Sequence, residues 1–124
     1  MATIFVALGA ASAGLAVALG AIATHALRGR LSVDQLRIFT TAVEYQMIHS
    51  LGLILVGLLI MHYPEAGLLR WGGRLMAIGT LLFSGSLYLL LLFEQRGFGL
   101  LTPLGGVALI AAWLLIAVQF FRLT

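Results

Sequence analysis

The stretch MATIFVALGAASAGLAVALGAIATHAL, residues 1–27, contains no Arg, Lys, Asp or Glu. Three further stretches, 45–64, 75–93 and 97–121, are also free of these residues. A helix needs about 20 apolar residues to cross the roughly 30 Å hydrocarbon core of a bilayer. Each stretch is about that long, so the sequence predicts four transmembrane segments.

The overall composition also indicates a membrane protein. Hydrophobic residues make up 62% of the 124 residues and charged residues only 9%, and the mean hydropathy is +1.14. The apolar runs are continuous rather than alternating, which favours helices that satisfy their own backbone hydrogen bonds in lipid. We therefore expect one all-α membrane domain, 1–124. Short connections predict an antiparallel bundle of four transmembrane helices, about 3–24, 42–61, 71–93 and 103–121.

Several other classes of protein are disfavoured. Cysteine is absent, which excludes disulfides and thiolate sites. The first run is long and no Lys or Arg precedes it, so we expect a retained span rather than a cleaved secretory signal. The seven Arg residues are scattered over the ends of the spans, which favours lipid headgroups over nucleic acid as partners. No catalytic constellation is present, so we expect no enzyme, no cofactor and no metal.

The first span is rich in Gly and Ala at spacings of four, a pattern that lets membrane helices approach closely. We expect this helix to lie at the centre of the bundle. Two interpretations of this pattern remain open: close packing of helices within one chain, and close packing at an interface between two chains. The small residues with predicted packing roles along the whole chain are Gly9, Ala13, Gly14, Gly20, Gly85, Gly105 and Gly106.

The most polar segment of the chain is 25–44. Ser32 followed by Gln35 is typical of a capping box at a helix start. Apolar residues then recur at helical spacing, so we predict a short interfacial amphipathic helix between spans one and two. Thr102 and Pro103 resemble an N-cap and a first helical residue, which would begin the fourth span.

The orientation in the membrane depends on arginines at the ends of the spans. One side carries Arg28, Arg30, Arg37 and Arg96, and the other carries Arg70, Arg74 and Arg122. Because cytoplasmic loops are enriched in basic residues, we expect both termini on the outer side. Because the two sides carry nearly equal numbers of arginines, the sequence also permits insertion in both orientations.

Few polar side chains lie within the spans, where a charged group costs about 2.5–3.5 kcal/mol. A step of 100° per residue places Glu44, Tyr45 and His49 on one arc of the second span, and Ser84 and Tyr88 on one arc of the third. We expect both arcs to face protein. The antiparallel arrangement then predicts a cluster at one end of the bundle, formed by His25, Arg37, Glu44, His49 and Thr102.

Three interpretations of this cluster remain open. In the first, Glu44 forms a partly buried ion pair with His25 or with an Arg of the first loop, and anchors the polar segment. In the second, His25, Glu44 and His49 handle protons or small solutes. In the third, two His and one Glu bind a metal, although no recognised ligand spacing is present. Ser84 and Tyr88 are expected to bond between helices, with a pore lining as the alternative.

Four phrases carry a family resemblance: GAIATHAL at 20–27, FTTAVEYQMIHSL at 39–51, LFSGSLY at 82–88 and TPLGG at 102–106. Together and in this order they resemble the domain of unknown function 423 family, which includes bacterial inner membrane proteins. The resemblance implies four spans and the bacterial cytoplasmic membrane, but no established activity. We expect a structural or accessory membrane protein, as a homo-oligomer or in a larger complex. A small-solute or proton-coupled transporter is the competing hypothesis.

Overall fold

The computed structural model describes all 124 residues as four long helices with short connections. The helices are α1 (Ala2–His25), α2 (Val33–His62), α3 (Gly67–Phe93) and α4 (Leu101–Phe121), and a 3₁₀ turn, Arg96–Leu100, precedes α4. By length and composition all four helices can cross a membrane. The predicted all-α class with four spanning helices is confirmed.

The capping box predicted at the start of α2 is confirmed. Ser32 Oγ accepts a hydrogen bond from the Gln35 backbone N–H at 3.1 Å, and Gln35 Oε1 accepts one from the Ser32 N–H at 3.0 Å. The polar segment after Ser32 continues into the span as a single helix of 30 residues, so the segment predicted as an interfacial helix forms the first turns of α2. The preceding turn uses Gly29 at a φ of 92°, a conformation that glycine adopts without steric cost.

The predicted start of the fourth helix is wrong. The 3₁₀ turn leads directly into α4, so its N-cap is Leu100 and no side chain caps it. Thr102 already lies within the helix. Its hydroxyl lies instead 2.6 Å from the hydroxyl of Ser86, which joins α3 to α4.

The helices pack in chain order, with α1 against α2, α2 against α3 and α3 against α4. Ten residues of α2 are buried, compared with four in α1 and three in α4. The central position predicted for the first helix is therefore wrong, because α2 is flanked on two sides and α1 packs chiefly against one neighbour. The hydrophobic core includes Phe5, Leu53, Val56, Leu69, Met76 and Leu109.

Two of the predicted packing glycines lie at close contacts between helices. A Cβ added to Gly9 would lie 2.6 Å from the backbone oxygen of Ser50, so only glycine lets α1 approach α2 at this level. A Cβ added to Gly105 would overlap the backbone nitrogen of Phe83. These two positions set the α1–α2 and α3–α4 separations.

The other predicted packing residues contribute less inside the chain. Gly20 and Gly106 have only ordinary van der Waals neighbours, and Ala13 is half-buried. The predicted role fails within the chain at Gly14 and Gly85, because nothing lies within 4 Å of a Cβ at Gly14 and only a side-chain atom of Leu81, at 4.0 Å, borders Gly85.

A further close contact joins α1 to α3 at one end of the bundle. The ring of Phe5 lies so close to Gly73 that an added Cβ would be 2.5 Å from a ring carbon. Beyond this contact a cavity opens between the two helices over the surface of α2. The Phe5–Gly73 contact therefore closes one end of a groove.

Candidate functional site

A network of uncharged polar side chains joins α1, α2 and α3. Gln46, which is 5% exposed, donates from Nε2 to the backbone oxygen of Ser12 at 2.9 Å. Its Oε1 accepts a hydrogen bond from the hydroxyl of Tyr88 at 2.7 Å. One amide of α2 thus bonds to both neighbouring helices.

Ser50 extends the network one turn further along α2. Its Oγ lies 2.5 Å from the backbone oxygen of Gln46 and 2.7 Å from Oγ of Ser12. A hydroxyl has one proton and a carbonyl can only accept. Ser50 is the donor to both oxygens, so its single proton is shared between the Gln46 carbonyl and the Ser12 hydroxyl.

Two more hydroxyls on α3 are also bonded to backbone oxygens. Ser84 donates to the oxygen of Ala42 at 2.7 Å, which joins α3 to α2. Thr80 donates to the oxygen of Met76 in its own helix, also at 2.7 Å. No buried side-chain nitrogen or oxygen lacks a partner, as burial away from water requires.

His49 lies beside this network and faces α4. Its Nδ1 is 2.8 Å from the backbone oxygen of Tyr45, and its Nε2 is 3.0 Å from the indole nitrogen of Trp113. A carbonyl only accepts and an indole N–H only donates, so Nδ1 carries the proton and Nε2 is the acceptor. Both nitrogens of a neutral His49 are thus bonded.

A cavity of about 570 Å³ lies over the polar network. Its lining residues all belong to α1, α2 and α3, none is Asp, Glu, Lys or Arg, and none lies in a connection between helices. Leu15 and Leu81 on its rim are 56% and 74% exposed. The cavity is therefore a groove between α1 and α3 that opens sideways toward lipid.

The structure does not bring the predicted five-residue cluster together. His25, Arg37 and Glu44 are exposed, whereas His49 is buried against α4. Thr102 pairs with Ser86 rather than with any of the four others. No group of three or more His, Cys, Asp or Glu residues is arranged to hold a metal ion.

The expected partial burial of Glu44 is wrong for a geometric reason. Glu44 is two residues from Gln46, and two helical steps turn the side chain by about 200°. Since Gln46 points into the bundle, Glu44 points away from it and is exposed. The side of α2 that was predicted to face protein is therefore rotated around the helix from the side that is buried. Tyr45, which was placed on the predicted side, is 41% exposed.

Three other sequence-predicted residues line the groove: His49, Ser84 and Tyr88. Sequence reasoning missed the residues that join them, which are Ser12, Gln46, Ser50 and Trp113. The predicted cluster was centred on ionisable side chains, whereas these four residues are uncharged. The available signal was a row of residues at helical spacing in α2 that contains two polar residues and a glycine: Gln46, Ser50, Leu53 and Gly57.

Comparison with known proteins finds a family match and several relatives. The family model described as a protein of unknown function, DUF423, matches residues 19–106. The UPF0382 membrane protein YwdK of Bacillus subtilis is 44% identical over 115 residues, which cover 93% of this chain and 94% of that protein. No solved structure matches the chain.

Two staphylococcal relatives show similarity over nearly the same length. A UPF0382 membrane protein of Staphylococcus haemolyticus is 39% identical over 119 residues, which cover 96% of each chain. One from Staphylococcus epidermidis is 41% identical over 119 residues with the same coverage. Similarity thus extends across all four helices, and these relatives are named as membrane proteins.

Proposed function

We propose a structural or accessory role in the membrane for this chain, which belongs to the DUF423 family of membrane proteins. In this proposal it is neither an enzyme nor a carrier. It acts by binding other components within the plane of the bilayer. The proposed location is the bacterial cytoplasmic membrane, with both termini on the outer side.

The observation that carries this proposal is the bonding of His49. Both ring nitrogens are occupied by groups that do not titrate near neutral pH, the Tyr45 carbonyl and the Trp113 indole. Protonating Nε2 would remove the acceptor of the indole N–H. His49 therefore suits a fixed structural contact better than repeated gain and loss of a proton.

The polar network supports the same role because its members bond chiefly to one another. Gln46, Ser50 and Ser84 join helices that hydrophobicity alone cannot hold together in lipid. Hydrogen bonds between membrane helices contribute about 0.6 kcal/mol each on average. Several such bonds at one level stabilise a single arrangement of α1, α2 and α3.

A small-solute carrier is the second candidate, and the groove is the feature that favours it. Carriers place their binding sites near the midplane of the bilayer, and the groove includes Ser12 and Thr80, which lie near the midpoints of α1 and α3. Against this, its lining contains no charged side chain and no residue from the connections between helices.

Flux through proteoliposomes separates the two candidates. The purified chain is reconstituted with an encapsulated pH dye, and an imposed pH gradient is followed with and without added small neutral solutes. We expect the gradient to decay at the rate of protein-free vesicles in both cases. Protein-dependent decay that disappears in His49→Gln, with helical content unchanged, would refute the accessory role.

The proposed role also predicts association within the membrane. The 13.2 kDa chain is extracted directly into polymer nanodiscs without detergent, and the mass of the released complexes is measured by native mass spectrometry. We expect homo-oligomers or complexes with other membrane proteins. A monomer as the sole species would contradict the proposal.

A further inference from the structure

We infer that the groove between α1 and α3 binds an uncharged lipid alcohol, with the hydroxyl at the polar floor and the chain along the apolar walls. This inference rests on the proposed accessory role and specifies what the chain binds in the bilayer. The reasons are the depth of the groove, its lack of charge and its surplus of hydrogen-bond acceptors.

Part of the polar floor lies near the middle of the spans. Thr80 is the central residue of α3 (Gly67–Phe93), and Ser12 is the eleventh of the 24 residues of α1. Gln46 lies nearer one end of its span, two residues from the exposed Glu44, and its side chain reaches the backbone oxygen of Ser12. Ser12 and Thr80 are therefore placed at a depth that a charged phospholipid headgroup avoids, because a charge there costs several kcal/mol.

The walls and the size of the groove suit a hydrocarbon chain. Leu8, Leu15, Ile78 and Leu81 form an exposed apolar rim, and the volume of about 570 Å³ lies within the roughly 300–1,000 Å³ of ligand pockets. No side chain in the lining is Asp, Glu, Lys or Arg. An anionic or cationic headgroup would thus find no counter-charge.

Most hydroxyls of the floor donate to protein atoms. Tyr88 donates to Gln46, and Thr80 and Ser84 donate to backbone oxygens, whereas Ser12 accepts from Ser50. Each hydroxyl oxygen retains acceptor capacity after its proton is used. Ser12, Thr80 and Tyr88 are only partly buried, so these acceptors face the groove.

Gln46 supplies the complementary donor. Its amide nitrogen has two N–H groups, and one of them bonds to the Ser12 oxygen. The floor therefore offers several acceptors together with a donor. A hydroxyl, which donates one hydrogen bond and accepts others, matches this set. A ketone or quinone oxygen, which only accepts, can use the donor but leaves the acceptors of the floor without a partner.

The test uses a diazirine-bearing hexadecanol and its methyl ether, which has the same chain without the O–H donor. Each is photo-cross-linked to the chain in phosphatidylcholine nanodiscs, and the labelled residues are mapped by mass spectrometry. We expect the alcohol to label Leu8, Leu15, Ile78 or Leu81 about two- to tenfold more than the ether does. This factor corresponds to the net free energy of one hydrogen bond. Unlabelled hexadecanol should compete, and a diacyl phosphatidylcholine should not.

Gly85→Leu tests the site itself, because Gly85 lines the groove and has room for a side chain. The added leucine should fill the groove and abolish preferential labelling by the alcohol. Gly14→Leu is the matched control, since Gly14 is equally open but lies outside the groove. It should leave labelling unchanged.

Thr80→Val tests the polar floor without removing a bond between helices. We expect labelling by the alcohol to fall about two- to tenfold while labelling by the ether is unchanged. Thr24→Val is its control, because Thr24 makes the same bond within its own helix, to Gly20, outside the groove.

Equal labelling by alcohol and ether, or labelling that Gly85→Leu does not change, would overturn the inference. Cross-links that join two copies of the chain through the rim would also overturn it, because a second copy would then occupy the groove. These results would leave the accessory role standing. Only the flux and association measurements described above can refute that role.

Discussion

Trp113 of α4 donates its indole N–H to Nε2 of His49 in α2, with 3.0 Å between the two nitrogens. The main packing partner of α4 is α3, so this bond ties the last helix to the central one. The ring of Trp113 also lies against Gly52, where an added Cβ would be 3.2 Å from a ring carbon. Because Gly52 has no side chain, the surface of α2 has room for the indole at this position.

Trp113→Phe should destabilise the bundle. It removes the donor and leaves the buried Nε2 of His49 without a partner, which costs about 1–3 kcal/mol. Thermal unfolding in detergent, followed by circular dichroism, should show a lower midpoint. Trp71→Phe is the control, because Trp71 is exposed and Phe retains a ring for the Arg74 guanidinium that lies over it. Equal midpoints for the two variants would show that the indole bond is not stabilising.

Gly9→Ala should separate α1 from α2, since the new methyl group would overlap the Ser50 carbonyl oxygen. Overpacking of this kind costs about 1–3 kcal/mol. Gly14→Ala, in the same helix with open space around it, should leave stability unchanged or raise it slightly. The comparison uses the midpoint of unfolding in the same detergent. A Gly14→Ala protein that is the less stable of the two would instead place the seam of an oligomer at Gly14.

Gln46→Leu should be more damaging than Glu44→Gln. The first change leaves the Tyr88 hydroxyl without its acceptor, at a cost of about 1–3 kcal/mol. The second changes an exposed side chain, where effects are usually within about 0.5 kcal/mol. Denaturant titration of both variants in one detergent measures the difference. A marked loss of stability in Glu44→Gln would reinstate the ion-pair anchor.

Cysteine labelling should reveal the orientation, because the chain has no native cysteine. With both termini outside, Glu65→Cys in the α2–α3 connection should react with an impermeant maleimide on intact cells. Arg30→Cys in the α1–α2 connection should react only after permeabilisation. The reverse pattern would invert the proposed orientation, and partial reaction at both sites would indicate insertion in both directions.

The number and class of the helices could be predicted because charges are excluded from hydrocarbon. Arg28, Arg74 and Arg96 mark the ends of charge-free runs, and each run became a helix. The exact starts were harder to predict. Thr102 was expected to cap α4, but the 3₁₀ turn Arg96–Leu100 continues directly into that helix.

The candidate site could not be predicted as well, because hydropathy carries little information on which face of a membrane helix is buried. Lipid-facing and protein-facing residues are both apolar, so exposed Ile48 and buried Leu53 look alike in sequence. Glu44 is the only acidic residue within a predicted span, whereas the uncharged Gln46 carries the contacts. Tyr88 and Ser84 could be predicted because a step of 100° per residue places both hydroxyls on one arc of the third span.

Packing in chain order has a consequence for biogenesis. Each helix after the first packs against the helix inserted just before it, so helical hairpins can form while the rest of the chain is still being synthesised. Contacts between non-adjacent helices, Phe5 with Gly73 and His49 with Trp113, must wait for later segments. Because α4 is the last helix to be inserted, a nascent chain that lacks it leaves Nε2 of His49 without its hydrogen-bond donor, so the polar contacts of α2 are completed only when synthesis of the four helices ends.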